Sequence, residues 1–282
     1  MEIGIFDLFW VFFLLIFIIP LVKRKIIDSS RAAMLRRIER KRRSRVITMI
    51  HRQEAISLFG IPFTRYIDIE DSERVLRAIR ATPDDVPIDL ILHTPGGLVL
   101  AATQIAMAIK KHPADVRVII PHYAMSGGTL IALAADKLIM DENAVLGPID
   151  PQLGALMKMY PAASLLKVAE IKDPNKMDDE TLILIDVAKK ALDQVRSLVH
   201  KLLEGKLKED EIEEVCKKLT EGRWTHDYPL TVEDLREMKL KVEVGLPEEI
   251  YRLMRLYPQP ARFTPTVEYV PTPYKKEPKT TK

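Results

Sequence analysis

The sequence predicts an α/β fold: βαβ units forming a mostly parallel sheet, preceded by an N-terminal transmembrane helix. Three observations carry this expectation. Short runs of branched apolar residues alternate with stretches of helical periodicity between about 45 and 257, the pattern of right-handed crossovers. Two of those runs end in paired glycines, at Pro95-Gly96-Gly97 and at Ser126-Gly127-Gly128. Residues 3–22, IGIFDLFWVFFLLIFIIPLV, are almost uncharged, and as a helix they span about 30 Å, the thickness of a bilayer core.

The N-terminal run comes first. A cleaved signal peptide fits it poorly, because no positive charge precedes it and no small-x-small site follows it. It has no polar face to suit a soluble helix. Glu2 and Asp7 lie at its start, whereas Lys23-Arg24-Lys25 and RRIERKRRSR (36–45) follow it. The positive-inside rule then predicts a single-pass protein of the cell membrane, N-terminus outside and main body cytoplasmic. Twelve Lys or Arg lie between Lys23 and Arg52, a density suited to anionic lipid heads. No aromatic residue interleaves them, so nucleic acid is not an expected partner. The expected division is a transmembrane helix at 1–22, a basic juxtamembrane segment at 23–45, a globular body at 46–257 and a Pro/Lys-rich, disordered tail at 258–282.

Within the body, ITMIHR (47–52) reads as a strand and 70–79 has helical spacing. IDLILHT (88–94) is a buried-strand pattern ending at Pro-Gly-Gly, and 98–109 is a small-residue helix. VRVIIPHYA (116–124) is a strand leading into Ser126, followed by a helix at 127–135 and a strand at 137–141. AVLGPIDPQLG (144–154) reads as strand and turn, 177–207 as a long amphipathic helix and 209–219 as a charged one.

The 282 residues and 47% apolar content suffice for one good-sized core. The charge, 43 basic against 40 acidic residues, nearly cancels overall. A single cysteine, Cys216, excludes an internal disulfide and a Cys-rich metal site. No His-x-Glu-x-His spacing points to a metal, and no Gly-Lys-Ser/Thr loop points to ATP. Neither metal nor cofactor is expected.

Reactive groups in open α/β sheets gather at the carboxyl ends of strands. Paired glycines there free backbone N–H groups and admit close approach. Acyl transfer needs such donors for its oxyanion. A serine at a helix N-terminus beside them is placed to attack. The plainer readings, a turn and an N-cap, apply to each motif singly; the two together, joined by one βαβ unit, are more specific.

LILHTPGGLVLAA (90–102), AMSGGTLIALAADKLIMDENAVLGPIDPQLG (124–154) and GRWTHDYPLTVEDL (222–235) resemble, in order and spacing, the Clp-fold serine proteases, which share the crotonase-like fold. The nearest branches are the signal peptide peptidase A class and the membrane-anchored serine dehydrogenase proteinases. The resemblance covers about 68–247. It implies that Ser126 is the nucleophile, that the amides of Gly96, Gly97 and Gly127 form the oxyanion hole, and that the chain assembles as a homo-oligomer. Where the caseinolytic branch carries a histidine about 25 residues after the serine, this chain has Asp150-Pro151-Gln152, which disfavours that branch's triad. The signal peptide peptidase branch uses a lysine before a long helix, and EIKDPNKMDDETL (170–182) offers Lys172 there, with Lys176 and Lys167 as further candidates. Such a lysine must be held neutral to accept a proton. Among the six histidines, His122, His93 and His226 could each touch the site, and His122 and His226 are further candidates for the base.

The expected function is therefore an ATP-independent, membrane-anchored serine endopeptidase with a Ser126–Lys172 dyad, acting on peptides or membrane-protein segments. A non-catalytic oligomeric scaffold and a crotonase-type acyl hydrolase or transferase are the alternatives; Ser126 argues against the last.

Overall fold

The computed structural model describes residues 10, 12–52, 56–58, 61–63, 65–155 and 158–257. A π-helical turn, Leu14–Ile18, leads into helix α1 (Ile19–Arg42) with Pro20 in its first turn. Strand β1 (Arg45–Ile50), a small hairpin β2 (Ile56–Leu58) and β3 (Ile61–Phe63), and helix α2 (Ile69–Arg80) follow. Then come β4 (Ile88–His93), α3 (Val99–Lys111), β5 (Val116–Ile120), β6 (Tyr123–Ala124), α4 (Gly127–Ala134), β7 (Lys137–Met140) and β8 (Val145–Leu146). A hairpin of β9 (Gln152–Ala155) and β10 (Lys158–Pro161) precedes helices α5 (Ala162–Ile171), α6 (Asp179–Leu203), α7 (Glu209–Thr220) and α8 (Val232–Glu237). Strand β11 (Val242–Val244) and helix α9 (Glu248–Arg255) complete the described chain.

The central sheet has the order β1-β4-β5-β7-β11 and every pairing in it is parallel. Strand β4 is buried along its whole length because both faces are covered. Its side chains alternate as the pleat requires: Ile88, Leu90 and Leu92 enter the main core with α2, α3, α4, α6 and α7, whereas Ile91 joins Ile119 and Ile139 on the opposite face. There Ile38 of α1 and Ile250 and Leu253 of α9 cover the sheet. Pro121 separates β5 from β6, which splits the single strand expected over 116–124.

Helix α1 overturns the membrane expectation. Among the described residues, no helix is long and apolar enough to cross a membrane. The transmembrane helix at 1–22, and with it the single-pass, N-outside localisation, is therefore not retained; residues 1–9 and 11 lie outside the described chain. The physical reason is in the sequence that follows the π-helical turn at Leu14–Ile18. Only the first few residues of α1 belong to the apolar run, and the rest form a charged helix that docks on the body. Some of its basic residues, read above as facing lipid, bond to that body instead. Lys41 pairs with Glu249 at 2.8 Å, Arg31 donates to the Leu256 carbonyl at 2.8 Å, and Arg42 donates to Asp89 at 2.6 Å. Asp89 is fully buried on β4 and also accepts from Ser44 Oγ at 2.5 Å and from Arg117 at 3.2 Å. Such a group survives burial only when its lone pairs are met, so this cluster locks α1 against β1, β4 and β5. The expected tail at 258–282 lies outside the described residues.

The expected helix at 177–207 is Asp179–Leu203, started by the Asp178 side chain accepting from the Thr181 N–H at 2.8 Å. Leu192, Val195 and Leu202 of this helix are buried within the chain itself. Cys216 is buried, and burial pushes its thiol up to about 11, the mark of an inert packing residue.

Candidate active site

The site is assembled at the carboxyl ends of β4 and of the β5–β6 run. Helix α4 starts there and all eight of its residues are buried. Its small residues allow this: a methyl group built on Gly128 would meet Thr94 Cγ2 at 2.6 Å, and one on Gly127 would meet Ala102 Cβ of α3 at 3.1 Å. At its far end Lys206 Nζ lies 2.9, 2.7 and 2.6 Å from the carbonyls of Leu133, Ala134 and Ala135. That contact meets the orphaned carbonyls of a buried helix C-terminus; burial draws the ammonium down to about 8.

Ser126 sits on the turn into α4 with φ 50° and ψ −114°. A non-glycine residue with positive φ is strained by about 1–3 kcal/mol and is held there only by its surroundings. A strained strand-to-helix turn of this kind can hold a side chain exposed above a sheet. Its side chain makes no capping hydrogen bond, so the N-cap reading does not hold.

Beside it, the Gly96–Gly97 loop is held by a parallel bridge to the segment before α2. Ile67 N–H donates to the Gly96 carbonyl at 2.7 Å, and Leu98 N–H donates to the Ile67 carbonyl at 2.9 Å. Gly97 has φ 152°, and a Cβ there would lie 2.3 Å from the Ile67 nitrogen, so only glycine fits. The three amides proposed from the sequence differ. Gly96 N–H donates to Thr94 Oγ1 at 3.2 Å and is occupied. Among the described residues, the N–H groups of Gly97 and Gly127 have no acceptor, and both residues line the same cleft as Ser126.

That cleft, about 1240 Å³, is also lined by His226, Asp150, His51 and Asp71. His226 Nδ1 lies 2.8 Å from Asp150 Oδ1. Asp150 is 2% exposed, and its other oxygen accepts from Gln152 Nε2 at 2.6 Å. Since a carboxylate only accepts, Nδ1 carries the proton and Nε2 is left as a lone pair. Two contacts bring these residues to the cleft that Ser126 lines. Leu146 and Leu230 exchange hydrogen bonds at 3.0 and 2.9 Å, which sets the 224–230 loop beside 146–150. Thr129 of α4 lies 2.8 Å from the Gly147 carbonyl and accepts its N–H at 3.2 Å, which ties the serine's helix to the aspartate's segment. Trp224 stacks on Tyr228 at 5.2 Å and stiffens the histidine's loop. His51 also lines the cleft, but both its nitrogens are engaged, by Thr94 Oγ1 at 2.9 Å and by Asp71 Oδ2 at 3.1 Å.

The lysines lie elsewhere. Lys172, Lys176 and Lys167 are exposed on or after α5, none lines the cleft, and Lys167 pairs with Glu170 at 2.6 Å. His122 is exposed and stacks on His93 with ring centroids 5.8 Å apart, outside the cleft. His93 is fully buried without a hydrogen-bond partner among the described residues. Burial, then the charges of Arg52, His122 and His51, lower its pKa to about 4. Sequence reasoning had Asp150 in view only as a missing histidine and did not single out His51 or Asp71. A lone Asp-Pro or a His after a strand carries no local signal, and their roles arise from residues 43 to 76 positions away.

Comparison with known proteins bears on this geometry. The uncharacterized protein MJ0137 of Methanocaldococcus jannaschii is 60% identical over 270 residues, 96% of this chain and 93% of its own. MJ1495 of the same organism, also uncharacterized, is 54% identical over 269 residues, 95% of this chain and 90% of its own. Among solved structures, the chain is similar to a mutant form of a membrane-bound stomatin-specific protease, 1510-N: TM-score 0.45, 19% identity, 68% of this chain and 79% of that one. A family model, the ClpP-like SDH-type serine proteinases, matches residues 2–282. The chain belongs to the ClpP-like SDH-type serine proteinase family.

Proposed function

We propose that this protein is an ATP-independent serine endopeptidase whose base is His226 rather than a lysine. Ser126 Oγ attacks the peptide carbonyl carbon, and His226 Nε2 takes its proton. Asp150 holds the imidazole in the Nδ1–H tautomer and stabilises the imidazolium. The N–H groups of Gly97 and Gly127 receive the developing oxyanion, aided by the N-terminus of α4. The tetrahedral intermediate collapses as His226 gives its proton to the leaving amine; water then repeats the sequence on the acyl-enzyme. The observation that carries this reading is the His226–Asp150 hydrogen bond in the cleft that also holds the strained, uncapped Ser126. The exposure of Lys172 speaks against a lysine base, since nothing around it desolvates the amine.

The test is a fluorophosphonate probe with mass spectrometry of the labelled peptide, paired with hydrolysis of a quenched peptide library. Label on Ser126, lost in His226→Ala and kept in Lys172→Ala, is the expected result. Label kept in His226→Ala and lost in Lys172→Ala returns the base to the lysine.

The proposal includes self-assembly. Val168 and Ile171 of α5 and Ile183 and Val187 of α6 are exposed apolar residues, and a homo-oligomer would cover such a face.

A further inference from the structure

Resting on the serine-peptidase reading, we propose that His51 is a positioning residue for the oxyanion loop: braced by Asp71, it fixes the Thr94 hydroxyl, which receives the Gly96 N–H and so sets the Gly96–Gly97 peptide that offers the Gly97 N–H to substrate.

The contacts form one chain. Asp71 Oδ2 lies 3.1 Å from His51 Nε2, and His51 Nδ1 lies 2.9 Å from Thr94 Oγ1. Thr94 Oγ1 in turn accepts the Gly96 N–H at 3.2 Å. The proton inventory gives it a direction. The Asp71 carboxylate accepts, so Nε2 carries the ring proton; Nδ1 then accepts from the threonine hydroxyl, whose lone pair is left for the Gly96 amide. With a doubly protonated ring, Nδ1–H would point at the same oxygen, and the hydroxyl would have to turn to the Gly96 carbonyl, 3.4 Å away.

The brace is itself fixed. Asp71 and Asp68 form a capping box at the start of α2: Asp71 N–H donates to Asp68 Oδ1 at 2.9 Å and Asp68 N–H to Asp71 Oδ2 at 3.1 Å. Burial raises the Asp71 carboxyl, but the hydrogen bonds from His51 and the Asp68 amide outweigh it and hold the group below the usual carboxylate range. Asp71 therefore stays an acceptor. The segment entering this cap carries Ile67, whose N–H and carbonyl hold both ends of the Gly96–Gly97 loop. Among the described residues, other ionisable groups near His51 include its neighbour Arg52, Arg65 and Asp68 ahead of α2 and the buried His93 on β4.

The relay matters for catalysis because the loop has no slack. A Cβ on Gly96 would meet Ser126 Cβ at 2.8 Å and the Met125 carbonyl at 2.9 Å. A tilt of the Gly96 peptide is therefore transmitted to the nucleophile and to the Gly97 donor together. His51 itself touches no reacting atom, because both its nitrogens are used.

The first test is independent of activity. Amide hydrogen exchange is compared in the full chain carrying Ser126→Ala, with and without His51→Leu. Gly96 should exchange at least about tenfold faster in the double variant, while Leu90 and Leu92 in β4 keep their rates, which marks local loosening. Unchanged exchange at Gly96 overturns the relay. The second test uses kinetics on a quenched peptide. Thr94→Val should lower kcat about 10²-fold with KM nearly unchanged, the signature of a lost transition-state donor. Thr94→Ser should recover most of that loss, because the hydroxyl returns; a serine variant as impaired as valine also overturns the proposal. Responsive Gly96 exchange in a wild-type protein that hydrolyses nothing defeats the peptidase reading and leaves the relay standing. Hydrolysis with an unresponsive Gly96 does the reverse.

Discussion

His226 Nδ1 and Asp150 Oδ1 lie 2.8 Å apart across 76 positions of sequence, in the cleft that Ser126 also lines. In the proposed triad the chain order is serine, aspartate, histidine, with Asp150 at the position where the caseinolytic branch carries its histidine. The hydrogen bond is what suggests this assignment.

Asp150→Asn tests that relationship directly. An asparagine amide can donate to Nδ1 and favour the wrong tautomer, so kcat should fall by about 10³–10⁴-fold while the fold is retained. Combining Asp150→Asn with Ser126→Ala should cost little more than Ser126→Ala alone, since the residues act as a unit. Steady-state kinetics on a quenched peptide gives both numbers; an additive double variant separates Asp150 from the mechanism.

Gly97→Ala should harm stability and activity together. The added Cβ would lie 2.3 Å from the Ile67 nitrogen at a φ of 152°, and the bridge that holds the loop must open. A melting temperature lowered by several degrees, as expected for a loss of about 1–3 kcal/mol, with activity near that of Ser126→Ala, is the expected pair of results. By contrast Gly205→Ala, where a Cβ meets nothing within 4 Å, should leave activity unchanged and carry only the strain of its own φ of 82°.

Lys206→Met removes the donor that the carbonyls of Leu133, Ala134 and Ala135 share. Leaving buried acceptors unmet costs about 1–3 kcal/mol, and the loss falls on the helix that Ser126 begins. Chemical denaturation should show a lowered midpoint with an unchanged slope. An unaltered midpoint would mean that water replaces the ammonium there.

His93 predicts acid sensitivity. Its folded-state pKa is depressed to about 4, whereas an unfolded histidine titrates near 6.5. The unfolded chain therefore binds a proton that the folded chain refuses, so the stabilisation is full above about pH 6.5 and is lost as pH falls towards 4. The full effect is about 3 kcal/mol. His93→Phe, which fills the same space beside Tyr123, should flatten the fall in denaturation midpoint between pH 6.5 and 4 relative to the wild type. Parallel pH curves for the two proteins would clear His93 of this role.

Assembly is checked by sedimentation of the full chain. A concentration-dependent oligomer that Ile171→Asp with Ile183→Asp converts to monomer is expected. A wild type that stays monomeric at high concentration removes the proposed α5–α6 contact.

Local chemistry made part of this protein legible from its letters alone. Alternating apolar runs and helical periods specified the parallel sheet, because strand and helix periods are properties of neighbouring residues. The paired glycines at 96–97 and 127–128 marked the candidate site, because positive φ at the first pair and close approach at both can be met only by residues lacking a side chain. The apolar run at the N-terminus misled for the same local reason. A hydropathy window sees twenty residues and not the charged continuation of the helix, nor Asp89 and Glu249 waiting for Arg42 and Lys41. The pairing of the proposed catalytic partners was beyond local reading. Lys172 had a motif in its favour, yet it lies exposed; His226 was one candidate histidine among several and Asp150 was seen only as the place of a missing one, yet the Leu146–Leu230 bridge and the Thr129 contact to Gly147 bring them to one cleft. Which base serves a nucleophile depends on distance, burial and the free lone pair, and those are set by packing between segments far apart in the chain.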